Sequence, residues 1–128
     1  MLGNAPIIAF VSTVDAARAK AFYRDKLGLS FVSEDPFALV FDAHGIMLRV
    51  SIVREHSPAQ QTVLGWHVTD IEATVTGLGK AGIKFQRYDG LKQDDRGIWT
   101  SPDGGRIAWF KDPDGNTLSI TEFSARRS

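Results

Sequence analysis

The sequence repeats itself, and the repeat limits the possible folds more than any other feature. Asp15 and Asp70 stand 55 positions apart, KLGLSF at 26–31 matches KAGIKF at 80–85 at an offset of 54, and DAHGIML at 42–48 matches DPDGNTL at 112–118 at an offset of 70. One structural unit written twice accounts for all three. The offset grows between Phe85 and Arg106, so the second copy carries the extra chain, and Gln93–Gly97 reads as an added loop. A chain of 128 residues is long enough for one domain with a core of its own. Units this short need a partner to cover their sheets, and here each copy is available to the other.

Each copy reads as strand, helix, then further strands. Ile7–Thr13 is rich in branched and aromatic residues, Asp15 offers an N-cap, and a helix follows through AARAKAFYRDKLG. Ala17, Ala21, Phe22 and Leu27 keep roughly helical spacing, which makes Phe22 and Leu27 the expected core face, and Gly28 suits a left-handed C′ residue. LSFVSE, FALVFD and GIMLRVSIV are three strands broken by Asp35-Pro36 and by the turn Asp42-Ala43-His44-Gly45. REHSPAQQ at 54–61 reads as a linker. In the second copy Thr62–Val68 is a strand, Asp70 a cap, and IEATVTGLGKAG a helix with Val75 and Leu78 inward. Gly77 and Gly79 weaken that helix by about 1 kcal/mol each relative to alanine, so packing must hold it. IKFQRY, GIWTS, GRIAWFK and TLSITEF are the strands that follow. The expected organisation is a single domain over 1–128, with module one at about 5–53, a linker at 54–61, module two at about 62–123 and a tail at 124–128.

Composition removes several functional classes. Without cysteine there is no disulfide framework, thiolate metal site or thiol nucleophile. Fifteen basic residues balance fifteen acidic ones without a long run of either sign, so nucleic acid and anionic membranes are not expected partners. No apolar run approaches the ~18 residues of a membrane span, and the start lacks a basic, then apolar, leader, so the expectation is a cytoplasmic protein. No phosphate-loop or dinucleotide fingerprint and no Ser/His/acid arrangement is present.

The repeat, together with VDAARAKAFYRDKLGL, the strand-to-cap step HVTDIEA and the closing KDPDGNTLSITEF, resembles the vicinal oxygen chelate superfamily of glyoxalases, extradiol dioxygenases and fosfomycin- and bleomycin-resistance proteins. The resemblance runs from Ile7 to Phe123. It implies an α+β fold in which two tandem βαβββ modules pair into a curved, partly closed mixed sheet with the helices outside. In metal-dependent members four side chains, from the first and last strand of each module, hold a divalent ion. Carried over, those positions are Ile8, Arg49, Val63 and Ser119. Divalent ions need converging oxygen or imidazole donors, and a guanidinium repels a cation. No metal and no other cofactor is therefore expected. His44 in a turn, His56 in the linker and His67 on a strand do not make a metal site between them.

Side chains two apart share a strand face. The carried-over positions thus bring Phe10 and Ser12, Met47 and Ser51, Gly65 and His67, and Thr117 and Thr121 to one side. The alternating residues, among them Val11, Leu48, Val50, Leu118 and Ile120, are apolar, as a helix-covered face requires. Likeness to fosfomycin-resistance relatives adds Ile107 and Trp109, and Trp99 is a candidate edge aromatic. The expected ligand-binding set is Phe10, Ser12, Met47, Arg49, His67, Trp99, Ile107, Trp109, Ser119 and Thr121, an apolar surface with a few orienting polar groups. Arg49 either pairs with an internal carboxylate or meets an anionic or carbonyl-bearing ligand. Trp109 either stacks on a planar ligand or fills core, and His67 is either a hydrogen-bonded structural residue or a general base, the one catalytic candidate.

The leading expectation is a metal-free protein that binds and sequesters a small molecule, similar in use to bleomycin-resistance proteins; whether it is an enzyme stays open, with the four carried-over positions leaning against it. The alternative is a glyoxalase- or dioxygenase-type lyase or oxidoreductase working through a displaced metal or through His67 and Arg49. A third is a scaffold domain with an empty cavity. The family resemblance also implies a homodimer.

Overall fold

The computed structural model describes residues 1–124 and divides into two compact units, the first ending at Pro58 and the second beginning at Ala59. Residues 125–128 of the expected tail lie outside the described residues.

In the first unit β1 (Ile8–Thr13) leads into α1 (Ala16–Lys20), and β2 (Ser30–Glu34), β3 (Ala38–Ala43) and β4 (Ile46–Ile52) complete a four-stranded sheet in the order β1-β4-β3-β2. β1 runs parallel to β4 and the other pairs are antiparallel. The β3–β4 turn closes on Ala43 and Ile46, with His44 at φ 52° and Gly45 at φ 87°. Two successive positive φ values match the right-handed twist of the flanking strands, which is why a glycine stands at the second position.

Asp15 begins α1 by accepting the Arg18 N–H at 3.1 Å, and Thr13 Oγ1 accepts the Asp15 N–H at 3.0 Å. The helix then widens into a π-helical turn over Ala21–Lys26, where the Leu27 N–H reaches back to the Phe22 carbonyl at 3.0 Å. This turn changes the expected core face. Ala17 and Ala21 are exposed and Leu27 is only half-buried, while Ala19, Phe22 and Tyr23 are buried. An α-helix sets consecutive residues about 100° apart, and the wider turn narrows that angle, so that the adjacent Phe22 and Tyr23 are both buried. Tyr23 meets Phe22 edge-on at 5.1 Å and Phe41 at 5.9 Å, over a layer of Leu39, Leu48 and Val50.

The second unit repeats the plan with β5 (Leu64–His67), α2 (Ile71–Lys80), β6 (Trp99–Thr100), β7 (Arg106–Lys111) and β8 (Thr117–Glu122). Its sheet order is β5-β8-β7-β6, again with the first and last strands parallel. Asp70 accepts the Ala73 N–H at 3.1 Å as Asp15 does for Arg18. Glu122 adds a capping bond from the sheet, accepting the Ile71 N–H at 3.0 Å. Ile71 and Val75 are buried, while Leu78, expected inward, is half-buried. The fold is thus α+β, two βαβββ-like modules each built on a four-stranded mixed sheet.

IKFQRY, expected as a strand, is not one. A single bridge joins Phe85 to Phe110, and the Gln86 N–H reaches the Trp109 carbonyl at 2.8 Å. Beyond that point side chains take over the backbone. Gln93 donates to the carbonyls of Gln86 at 2.9 Å and Gly97 at 2.8 Å and accepts the Tyr88 N–H at 2.7 Å. Arg87 donates to the carbonyls of Asp94 and Gln93. Because the loop satisfies these groups locally, the ladder along β7 resumes only at the two residues of β6, which are all of GIWTS that is extended and paired.

Candidate functional site

The registers place the expected site residues on one face of each sheet. In the first unit Ile8 pairs with Met47, Phe10 with Arg49 and Ser12 with Ser51, while Val40 of β3 stands on the other side of Arg49. This face is open. Phe10 is 58% exposed and Met47 41%, in contrast to Leu48 and Val50 on the opposite face, which are covered. Arg49 and Ser12 are half-buried.

In the second unit Trp109 pairs with Ser119 and Ser119 with Gly65, and in the next row Ile107 pairs with Thr121 and Thr121 with His67. Trp99 lies opposite Ile107. His67, Trp99, Ile107, Trp109, Ser119 and Thr121 therefore share a face. Ser119 is buried, Trp99, Ile107, Trp109 and Thr121 are half-buried, and His67 is exposed. Along the central row the side chains shrink from Trp109 to Ser119 to none at Gly65. The space above Gly65 belongs to Ser119, because a Cβ there would stand 2.8 Å from Ser119 Oγ.

Aromatic contacts organise this second face. Trp109 lies 6.3 Å from Trp99 and meets Tyr88 edge-on at 5.5 Å, and His67 meets Phe123 edge-on at 4.9 Å. Burial pushes the Tyr88 phenol above its ordinary value. Tyr88 and Phe123 are absent from the expected set. Phe123 was reachable by continuing the alternation two residues past Thr121, whereas Tyr88 arrives from an irregular segment with no periodic signal. Beyond Phe123 a recess of about 380 Å³ opens, lined by Ser101, Pro102, Asp103, Gly105, Ile107, Thr121 and Phe123. A larger one of about 550 Å³ runs along α2 past Asp70, Glu72, Lys80 and Arg96 and contains none of the expected residues. Glu72 is occupied there by ion pairs to Arg96 at 2.9 Å and Arg106 at 3.1 Å.

The four carried-over metal positions do not fit a divalent ion. Ile8 and Val63 present hydrocarbon, Ser119 one neutral hydroxyl and Arg49 a fixed positive charge. Among the described residues, no three His, Asp or Glu side chains group so as to hold a metal. Likewise, no helix among them is long and apolar enough to cross a membrane.

The profile of the Glyoxalase/Bleomycin resistance protein/Dioxygenase superfamily matches residues 7–120. Among solved structures, a glyoxalase/bleomycin resistance protein/dioxygenase from Alicyclobacillus acidocaldarius is 21% identical with a TM-score of 0.72, the match covering 97% of this chain and 95% of that one. A lactoylglutathione lyase from Agrobacterium tumefaciens is 20% identical with a TM-score of 0.72, covering 92% and 93%. A glyoxalase family protein from Enterococcus faecalis is 21% identical with a TM-score of 0.73, covering 95% and 100%. At such identities these likenesses are of fold. A comparison with curated proteins finds no match.

Proposed function

Because the chain belongs to the glyoxalase/bleomycin resistance protein/dioxygenase superfamily, we propose that it is a metal-free small-molecule-binding protein, which holds a compound without converting it. One observation carries the reading: the positions that would supply a metal's ligands are Ile8, Arg49, Val63 and Ser119, with no imidazole or carboxylate among them. The open sheet faces support it. Each combines exposed apolar surface with a few polar groups, which is the composition of a small-molecule site. The binding set we propose is the one expected from the strands: Phe10, Ser12, Met47 and Arg49 from the first module, and His67, Trp99, Ile107, Trp109, Ser119 and Thr121 from the second.

The same reading takes residues 1–128 as one glyoxalase-like domain, cytoplasmic and homodimeric. The exposure of Ile8 and Val63, outside that binding set, supports association, since a stable assembly would remove their apolar surface from water.

Calorimetric titration with nickel, manganese, iron and zinc tests the proposal, together with a thermal-shift screen of small molecules in a chelating buffer. The expected result is no stoichiometric metal binding and at least one compound that stabilises saturably. Stoichiometric metal binding that survives substitution of His44 and His56 would replace this reading with the second one, a glyoxalase- or dioxygenase-type enzyme. The observation favouring that alternative is the exposed His67 ring, whose described contact is with Phe123.

A further inference from the structure

Among the described residues Arg49 is the one cation on the open face of the first sheet, and its surroundings are mostly apolar. Phe10 pairs with it from β1 and Val40 from β3, Ile8 and Met47 form the row on one side, and Ser12 and Ser51 the row on the other. The residue is half-buried, yet among the described residues its guanidinium closes no ion pair and makes no hydrogen bond. Asp35, in the β2–β3 turn, feels its charge, but Asp35 is held first by its own turn. Its Oδ1 accepts the Phe37 N–H at 2.7 Å and the Ala38 N–H at 2.9 Å. A partly desolvated guanidinium with five donors and no acceptor is costly for the protein alone, and a planar oxyanion fits its fork.

We propose that Arg49 anchors an organic monocarboxylate whose apolar body lies along Phe10 and Met47. The proposal rests on the binding-protein reading and names the class of ligand for it. A single positive charge favours a monoanion over a phosphate dianion. Asp42, which pairs with Met47 on the same face, and Asp35 at its edge both oppose additional negative charge. The carboxylate takes two parallel N–H donors from Arg49, and the body replaces water over Phe10, which is 58% exposed.

The test uses pairs of compounds that differ only in charge: aryl and alkyl monocarboxylates of increasing size, each with its neutral primary amide, titrated calorimetrically into the full chain in a chelating buffer. At least one carboxylate should bind about tenfold or more tighter than its amide, as expected for charge-assisted bonds in a partly dry site. That preference should vanish in Arg49→Met, which keeps the length of the side chain without its charge, and should persist in weakened form in Arg49→Lys. Circular dichroism of both variants establishes that the fold is kept. If acid and amide bind equally, or if the preference survives in Arg49→Met, the proposal is overturned while the binding-protein reading stands. If no carboxylate binds although other compounds stabilise the protein, the ligand class alone is wrong. If nothing stabilises it, both fail.

Discussion

Ser119 Oγ lies where a side chain on Gly65 would begin, only 2.8 Å from the position of the missing Cβ. The two residues are register partners on parallel strands, so the hydroxyl can occupy this place only while residue 65 has no side chain. Gly65→Ala should therefore push the Ser119 hydroxyl out of its staggered rotamer. The cost of an off-rotamer side chain, about 0.5–1.5 kcal/mol, opposes the gain of about 0.4–1 kcal/mol from restricting the unfolded chain. Urea denaturation should show little net change for the single variant. In a Ser119→Ala background the same substitution should stabilise, giving a coupling between the two sites. Strict additivity would contradict the contact.

Gly97 behaves differently. It has φ 89°, and a Cβ would stand 3.2 Å from Phe85 Cβ, an atom fixed to the backbone. Gly97→Ala should cost about 1–3 kcal/mol from backbone strain, read as a lower denaturation midpoint. An unchanged midpoint would mean that the loop does not hold this conformation.

Tyr23 is fully buried among Phe22 and Phe41. Tyr23→Ala should cost about 3–5 kcal/mol, as for other large aromatic-to-alanine changes in cores. The exposed neighbour Arg24→Ala should fall within about 0.5 kcal/mol of the parent. Similar losses for the two would contradict the burial of Tyr23 and the exposure of Arg24.

Acid should weaken the β2–β3 turn through Asp35. Its carboxyl is held below the usual range by the Phe37 N–H, then the Ala38 N–H, and also by the charge of Arg49. A carboxyl lowered in the folded state contributes stability above its unfolded pKa of about 3.9, and that contribution is lost as pH falls through the lower folded value. Asp35→Asn should therefore melt below the parent at neutral pH, with the gap closing on acidification below about pH 4. A constant gap across that range would exclude the ionised carboxylate as its source.

What could be read from the sequence was what depends on a period of two. Alternation in IIAFVST and IMLRVSI put Phe10 and Arg49 on the face opposite Val11 and Val50, and the registers agree. The caps at Asp15 and Asp70 were equally legible, because a short acceptor before a helical run has one local use. Periodicity failed where side chains replace the ladder. The branched and aromatic residues of IKFQRY favour a strand, but Gln93 satisfies that stretch from a loop several residues away, and Arg87 of the stretch donates to that loop's carbonyls in turn. The π-helical turn was hidden for a similar reason. A spacing of 3.6 made Phe22 and Leu27 the core face, whereas the buried pair is Phe22 and Tyr23, with Tyr23 against Phe41. Tyr88 reaches Trp109 only through this irregular segment and was therefore missed.

The outer border of β7 is shared end to end by Phe85 and by the short β6, with a self-bonded loop spanning the gap. Such a border can change length without shifting the pairing of the three strands behind it. It is the natural place on this scaffold to graft foreign peptide or to trim chain, while the corresponding border of the first sheet, a full strand with a bulge, would lose its alignment under the same surgery.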